Sequence, residues 1–210
     1  CSRDRPTPPL PHRFAAASAG PSCELTLGFF ILQVPDGPRT WGLQNSQPGG
    51  KIMISRKPTG TLVLDHLLPG RNLYLLSTGT GLAPFISIIQ DPETYEQYDK
   101  VIITHGCRHV RELAYEDLIT NELPNHEYFG DMVRDKLIYY PTVTREPFRN
   151  EGRLTDLMTS GKLFDDIGLP QFALEQARFM PVPSTPLKLP THPPVHQLKR
   201  TLIRNTKSAA

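Results

Sequence analysis

Three short apolar runs, each bounded by small or polar residues, dominate the middle of the chain. They span 72–77, 100–106 and 137–144. Runs of this length, rich in Leu, Ile, Val and Tyr, are typical of strands buried in a parallel sheet. Apolar residues at helical spacing over 111–121 and 154–163 predict amphipathic helices that follow the second and third strands. Strands alternating with helices predict an α/β fold, with a doubly wound parallel sheet over 71–180.

A glycine-containing turn follows the first run. It contains Thr78, Gly79, Thr80 and Gly81, and Pro84 then suits the first turn of a helix because it lacks an amide proton. Backbone N–H groups at such a turn face the positive end of a helix dipole, where a phosphate binds well. The stretch matches neither the G-x-G-x-x-G fingerprint nor the P-loop, so a plain loop remains an alternative for it in isolation.

Ligands of a doubly wound sheet bind at the carboxyl ends of its strands, where three polar clusters fall in this chain. The clusters are 78–81, 104–108 and 144–153. The last one is the most informative, and it contains Thr144, Arg145, Arg149 and Arg153. Guanidinium groups pair with phosphate bidentately, so this cluster favours a 2′-phosphate, and NADP over NAD. A solvated loop with surface arginines is the alternative.

The segment before the glycine turn has a different pattern. Short β-rich stretches at 24–34, 51–55 and 61–64 are separated by turn residues rich in Pro, Asp and Gly. This spacing predicts part of a small antiparallel barrel over 23–70. Three candidate strands are too few to close a barrel, so we expect a truncated one.

Charge and proline are concentrated at the two ends. Of the net charge of +2, residues 1–22 contribute +2 and residues 181–210 contribute +5, which leaves −5 for the middle. The basic ends are diluted by proline and carry almost no aromatic residues among their charges. We therefore expect unassigned tails at 1–22 and 181–210, and no nucleic-acid partner.

The number and spacing of the three cysteines bear on metal binding and on the cellular compartment. Cys1, Cys23 and Cys107 form neither a CxxC pair nor a metal-ligand spacing, so we expect no metal site and a reducing, cytoplasmic compartment. No run approaches the roughly 18 apolar residues that a spanning helix needs, so no membrane span is expected.

Several linked motifs in order indicate a family. They are Leu-Tyr-Leu-Leu-Ser-Thr-Gly-Thr-Gly-Leu-Ala-Pro-Phe, Thr-His-Gly-Cys-Arg, Glu-Leu-Ala-Tyr, Tyr-Tyr-Pro-Thr-Val-Thr-Arg-Glu and Gly-Arg-Leu-Thr-Asp-Leu, preceded by Val-Pro-Asp-Gly-Pro and Ser-Arg-Lys-Pro-Thr-Gly-Thr-Leu. With these motifs the segment 29–172 resembles the bacterial ferredoxin (flavodoxin)–NADP reductases. The resemblance implies an FAD-binding barrel followed by an NADP domain. It also implies electron transfer between NADPH and ferredoxin or flavodoxin through FAD.

The resemblance assigns roles by position. For FAD it implies a strand along the flavin and a turn at the diphosphate, formed by Ile31, Leu32 and Gln33 and by Pro38, Arg39 and Thr40. Thr80 matches the threonine near flavin and nicotinamide, within the glycine turn. For NADP it implies a contacting pair and a 2′-phosphate pocket, formed by Cys107 and Arg108 and by Thr144, Arg145 and Arg153. We expect a monomer, with His105 as a strand-end residue and Tyr74 as packing.

The ends depart from the family pattern. The Arg-x-Tyr-Ser flavin motif is absent, and the family strand Cys-Gly-x-Pro-x-Met, expected after 178–180, is replaced by proline-rich sequence. We expect divergent or out-of-frame ends. The alternative function is an NADP-binding remnant or fragment without redox activity, because its FAD site is incomplete.

Overall fold

A computed structural model describes residues 45–49, 62–64, 67, 70–170 and 177–181. Over these ranges the chain forms a four-stranded sheet in which every neighbouring pair is parallel. This confirms the predicted parallel sheet. The predictions for the tail 1–22, the barrel strands at 24–34 and 51–55, and the tail beyond 181 lie outside the described ranges.

The sheet contains the three predicted strands and one more. They are β1 (Asn72–Thr78), β2 (Lys100–Cys107), β3 (Leu137–Val143) and β4 (Ala177–Pro181), in the order β3-β2-β1-β4. The register sets Thr78 opposite Gly106, and Gly106 opposite Thr142, at the carboxyl edge.

The sequence pattern missed the fourth strand: the family resemblance led us to expect a strand after 178–180, and proline-rich sequence stands there instead, whereas β4 covers Ala177–Pro181. Tertiary packing explains the difference. The ring of Phe179 stacks on Tyr74 of β1, with centroids 4.8 Å apart, and both side chains are buried. Burial of the aromatic pair stabilises a five-residue strand against β1. The expectation that Tyr74 is a packing residue is confirmed.

Helices cover both faces of the sheet. One face is covered by α1 (Ala83–Ile89), α2 (Pro92–Gln97) and α3 (Gly130–Lys136), and the other by α4 (Leu154–Ser160) and α5 (Lys162–Ile167). Each face has its own buried apolar cluster, as expected of a doubly wound sheet. None of the helices in the described ranges is both long and apolar enough to cross a membrane.

Two helix predictions need correction. The predicted helix 154–163 is two helices, because Gly161 adopts a left-handed φ of 86° that ends α4 and precedes α5. The predicted helix 111–121 is broken at Tyr115, whose φ is 62°. A 3₁₀ turn at Val110–Glu112 precedes the break, and a π-helical turn at Leu118–Glu122 follows it.

Candidate functional site

The strand order places the glycine turn at the topological switch point of the sheet. From β1 the chain crosses to β2 and β3 on one side, and later returns to β4 on the other side of β1. The carboxyl ends of β1 and β4 therefore border the crevice in which ligands of doubly wound sheets bind. The turn Gly79–Leu82 begins at that point and leads directly into α1.

The glycine turn is a tight 3₁₀ turn. Gly79 has a φ of 51°, in the left-handed region that favours glycine. Gly79 is exposed and Thr78 and Thr80 are half-buried, whereas Gly81 is buried. The N–H of Ala83 donates to the Thr80 carbonyl, so this amide is satisfied within the protein. The surface offered to a ligand therefore consists mainly of Thr78, Gly79 and Thr80.

The predicted NADP residues of the second and third clusters lie side by side. The N–H of Thr144 donates to the Cys107 carbonyl at 3.2 Å, and the N–H of Arg145 donates to the Arg108 carbonyl at 3.0 Å. The Thr144 hydroxyl also donates to the Cys107 carbonyl, at 3.3 Å. The structure thus joins these four residues, but a phosphate would have to draw the Thr144 hydroxyl proton away from Cys107.

The Cys107 thiol lies beneath this surface. Its side chain is buried, and Sγ contacts the Glu112 carbonyl at 3.4 Å and His105 Nε2 at 3.2 Å. Burial raises the pKa of the thiol to about 11, so the thiol is neutral near pH 7. A ligand therefore meets the backbone of Cys107 and the exposed side chain of Arg108.

The loop 144–153 closes on the strand that precedes it. The N–H of Val143 donates to the Asn150 carbonyl, and the N–H of Gly152 donates back to the Val143 carbonyl. Asn150 also donates its amide to the Pro141 carbonyl at 3.0 Å. These hydrogen bonds close the loop 144–153. Arg153, which precedes α4, therefore lies at the same carboxyl edge of the sheet as Arg145.

The arginines of this loop differ in their partners. Arg149 forms a 3.3 Å ion pair with Glu116 and lies over the Phe148 ring. Arg145 and Arg153 are exposed, and neither has an ion pair within the part of the chain that the structure describes. Exposed guanidinium groups without a carboxylate partner are suited to binding a phosphate. The arrangement fits a phosphorylated ligand at Arg145 and Arg153 better than at Arg149.

Two glutamates near the arginines were missed by the sequence reasoning. Glu112 accepts the N–H of Arg108 at 2.9 Å, and this bond is the main reason why the pKa of Glu112 is lowered. Glu146 accepts the N–H of Val110 and lies 3.8 Å from His109 Nδ1. Through these hydrogen bonds to backbone N–H groups, both glutamates hold the basic loops in place. Acidic residues interleaved with arginines were the only sequence signal for them.

A buried hydroxyl also lies at this edge. Thr142 Oγ1 is the one buried side-chain polar atom in the described ranges that lacks a hydrogen-bond partner. It is near Gly106, where a Cβ would come within 3.4 Å of Thr142 Oγ1 and 3.3 Å of Thr78 Cγ2. Glycine at the end of β2 thus lets the two threonines approach each other across the strand.

The six residues predicted to contact FAD lie outside the described ranges. They are Ile31, Leu32, Gln33, Pro38, Arg39 and Thr40. The structure thus brings together the predicted nucleotide residues of the carboxyl edge, and the flavin residues stay a prediction.

Comparison with known proteins decides the family. Over 172 residues, 82% of this chain, the sequence is 64% identical to a ferredoxin–NADP reductase of Pseudomonas aeruginosa. The chain belongs to the ferredoxin–NADP reductase family. The corresponding reductase of Azotobacter vinelandii is 59% identical over the same length. Both matches cover 66% of the relative, so this chain spans just under two thirds of their length.

A solved structure agrees at the level of fold. A ferredoxin NADP⁺ reductase from Neisseria gonorrhoeae, with bound FAD and NADP, aligns with a TM-score of 0.72 at 24% identity. The alignment covers 92% of this chain and 72% of the other. A search of family models returned no match. The 172 matched residues exceed the interval 29–172, so the similarity continues beyond that interval.

Proposed function

We propose that this chain is an FAD-dependent reductase that transfers electrons between NADPH and ferredoxin or flavodoxin. The observation that carries the proposal is the pair of exposed guanidinium groups, Arg145 and Arg153, delivered to one sheet edge beside Cys107 and Arg108. The names of its close relatives supply the reaction.

The 2′-phosphate of NADP binds to Thr144, Arg145 and Arg153 in this proposal. A dianionic phosphate at an exposed edge gains most from guanidinium groups that no carboxylate already neutralises. Arg108 contacts the nucleotide from the neighbouring strand end. NAD, which lacks this phosphate, gains nothing from the arginine pair, so the site discriminates between the two nucleotides.

The glycine turn receives the other end of the nucleotide. Thr78, Gly79, Thr80 and Gly81 begin at the switch point between β1 and β4, where the narrow turn lets a ring approach the backbone closely. Bound FAD supplies the chemistry, namely acceptance of a hydride and release of single electrons. The chain itself orients the nicotinamide, with no side-chain acid or nucleophile required.

The wider organisation belongs to the proposal as well. The division is 1–22 tail, 23–70 partial FAD barrel, 71–180 NADP domain and 181–210 tail. The flavin contacts are those named above at 31–33 and 38–40. We infer a cytoplasmic monomer without a nucleic-acid partner, consistent with the sparse cysteines.

The nucleotide half of the proposal is tested by titration with NADP⁺ and NAD⁺. We expect Arg145→Ala and Arg153→Ala to weaken NADP⁺ binding about tenfold each, the value of one charge-assisted hydrogen-bonded contact, and to leave NAD⁺ binding unchanged. Arg71→Ala is the matched control, because Arg71 pairs with Asp99 just before β1, at the opposite edge of the sheet. Equal losses for both nucleotides would contradict a 2′-phosphate pocket.

The redox half is tested by the visible absorbance of the purified chain, before and after FAD is added and removed by desalting. We expect a persistent flavin band and NADPH-dependent reduction of ferricyanide. A chain that binds NADP⁺ but remains colourless would be a nucleotide-binding remnant and would contradict the reductase proposal.

A further inference from the structure

Three side chains form a hydrogen-bonded line beneath the glycine turn. His105 Nε2 lies 3.2 Å from Cys107 Sγ, and His105 Nδ1 lies 3.5 Å from the Tyr139 hydroxyl. His105 is fully buried, although it occupies a strand next to a polar edge. A buried imidazole with partners on both nitrogens has a single orientation, so the line connects β2 to β3 rigidly.

The hydrogen bonds of this line have a defined direction. The Cys107 thiol donates to the Glu112 carbonyl at 3.4 Å. Because a thiol carries one hydrogen, its sulfur can only accept from His105, which places the imidazole proton on Nε2. Nδ1 is then left to accept the hydroxyl proton of Tyr139. Every donor along the line therefore has an acceptor.

The line lies beside the start of the glycine turn, because the strand register sets His105 opposite Ser77, two residues before Gly79. Backbone hydrogen bonding by Gly79 opposes the effect of burial on the pKa of both His105 and Cys107. Among the described residues, nothing lies within 4 Å of the position that a Cβ on Gly79 would occupy. Gly79 thus has polar contacts with His105 and Cys107 and open space in the direction in which a Cβ would point.

Burial also keeps the line uncharged. It lowers the pKa of His105 to about 4 and raises the pKa of Cys107 to about 11. At neutral pH neither group exchanges a proton with a ligand. Any effect of His105 on the nucleotide must therefore pass through geometry.

We propose that His105 is a positioning residue of the nucleotide site. The hydrogen bond from its Nε2–H to Cys107 Sγ, together with the polar contact of this pair with the Gly79 backbone, sets the shape of the turn Gly79–Leu82 that receives NADP. This inference rests on the proposed function, since it names the residue that prepares the same site. If it holds, the hydrogen bond made by Nε2 controls both the amide exchange rate of residues 79–82 and the Kd for NADP⁺.

Three substitutions in the full chain separate this role from simple packing. His105→Gln places an amide nitrogen near the position of Nε2, His105→Asn places one near Nδ1, and His105→Leu keeps volume without a donor. Two readouts are used: amide hydrogen exchange of 79–82 without nucleotide, and the Kd for NADP⁺. Exchange of α5, on the opposite face of the sheet, serves as the internal control.

We expect His105→Asn and His105→Leu to speed exchange of 79–82 and to raise the Kd for NADP⁺, each about tenfold, the value of one lost hydrogen bond. His105→Gln should stay within about threefold of the parent chain in both readouts, which is less than one such bond. Exchange of α5 should not change. The inference is overturned if Gln is as damaging as Leu, if 79–82 and the Kd do not respond, or if α5 exchange rises equally.

Failure of the proposed function gives a different result. A parent chain that does not bind NADP⁺ contradicts the function, and the exchange of 79–82 then decides alone whether His105 holds the turn. Faster exchange confined to 79–82 in the Asn and Leu variants supports the positioning role, and unchanged exchange refutes it.

Discussion

The backbone N–H of Arg108 donates a 2.9 Å hydrogen bond to the carboxylate of Glu112. The bond folds the chain after β2 back on itself and sets a negative charge beside a predicted nucleotide-binding arginine. Glu112 therefore has two opposing effects on an anionic ligand. It orders the loop that carries Arg108, and it repels the phosphate.

Glu112→Gln separates these effects, because the amide oxygen can still accept the Arg108 N–H while the charge is removed. We expect NADP⁺ to bind about twofold more tightly at low ionic strength, as befits a weak exposed charge interaction. The gain should vanish at high salt, where the interaction is screened. Titrations at two salt concentrations check this. Glu112→Ala, which loses the bond as well, should show no gain, and a salt-independent gain would contradict the argument.

Burial of His105 predicts a specific pH dependence of stability. The pKa is about 4 in the folded chain against an ordinary 6.5, so the unfolded chain binds the proton more tightly. The free energy of unfolding should therefore be highest above pH 6.5 and fall as the pH drops from 6.5 to 4, by roughly 3 kcal/mol. Urea unfolding at several pH values measures this. The His105→Gln variant should lack that part of the slope, and parallel curves for the two chains would contradict it.

The unpartnered hydroxyl of Thr142 predicts a stabilising substitution. Thr142→Val removes a buried hydroxyl that has no partner and keeps the shape, so the free energy of unfolding should rise by about 1 kcal/mol. Thr104 is the matched control, because it is equally buried in the neighbouring strand but donates to the Leu75 carbonyl at 3.3 Å. Thr104→Val should destabilise the chain by about 1 kcal/mol. Urea unfolding of both variants gives the comparison, and the same sign for both would be inconsistent with this reasoning.

The left-handed backbone of Gly161 predicts a cost for a side chain. Gly161→Ala should lower the free energy of unfolding by about 1 kcal/mol, because L-residues disfavour a φ of 86°. Ser160→Ala, in a helical position next to it, should change stability by less. Thermal unfolding of the two variants checks the difference, and a stabilised Gly161→Ala chain would mean that α4 and α5 can merge into one helix.

Much of the fold is predictable because it depends on local pattern. The runs that became β1, β2 and β3 are mostly apolar without alternation, a pattern typical of strands buried on both faces. Arg145 and Arg153 were identified from residue type and spacing, and the structure places both at the carboxyl edge, exposed.

Other features depend on contacts that no local pattern contains. The strand β4 exists because Phe179 stacks on Tyr74, about a hundred residues earlier, and the pattern around Phe179 alone is too short to show it. The sequence alone does not distinguish Arg149 from Arg145, because both are arginines of the same loop. In the structure Arg149 forms an ion pair with Glu116 and is therefore less available to a phosphate. The orientation of a side chain toward a distant partner is set by tertiary packing.

The sequence by itself determined the parallel sheet, the glycine turn and the basic loop. Hydrophobic periodicity, glycine conformation and charge are properties of short stretches of the chain. Only the tertiary structure decided what lies beneath that turn. His105 and Cys107 alternate onto the same face of β2, the pairing of β2 with β3 brings Tyr139 beside His105, and burial keeps all three side chains neutral. The physical reason is that hydrogen bonds and desolvation act between residues that are neighbours in space.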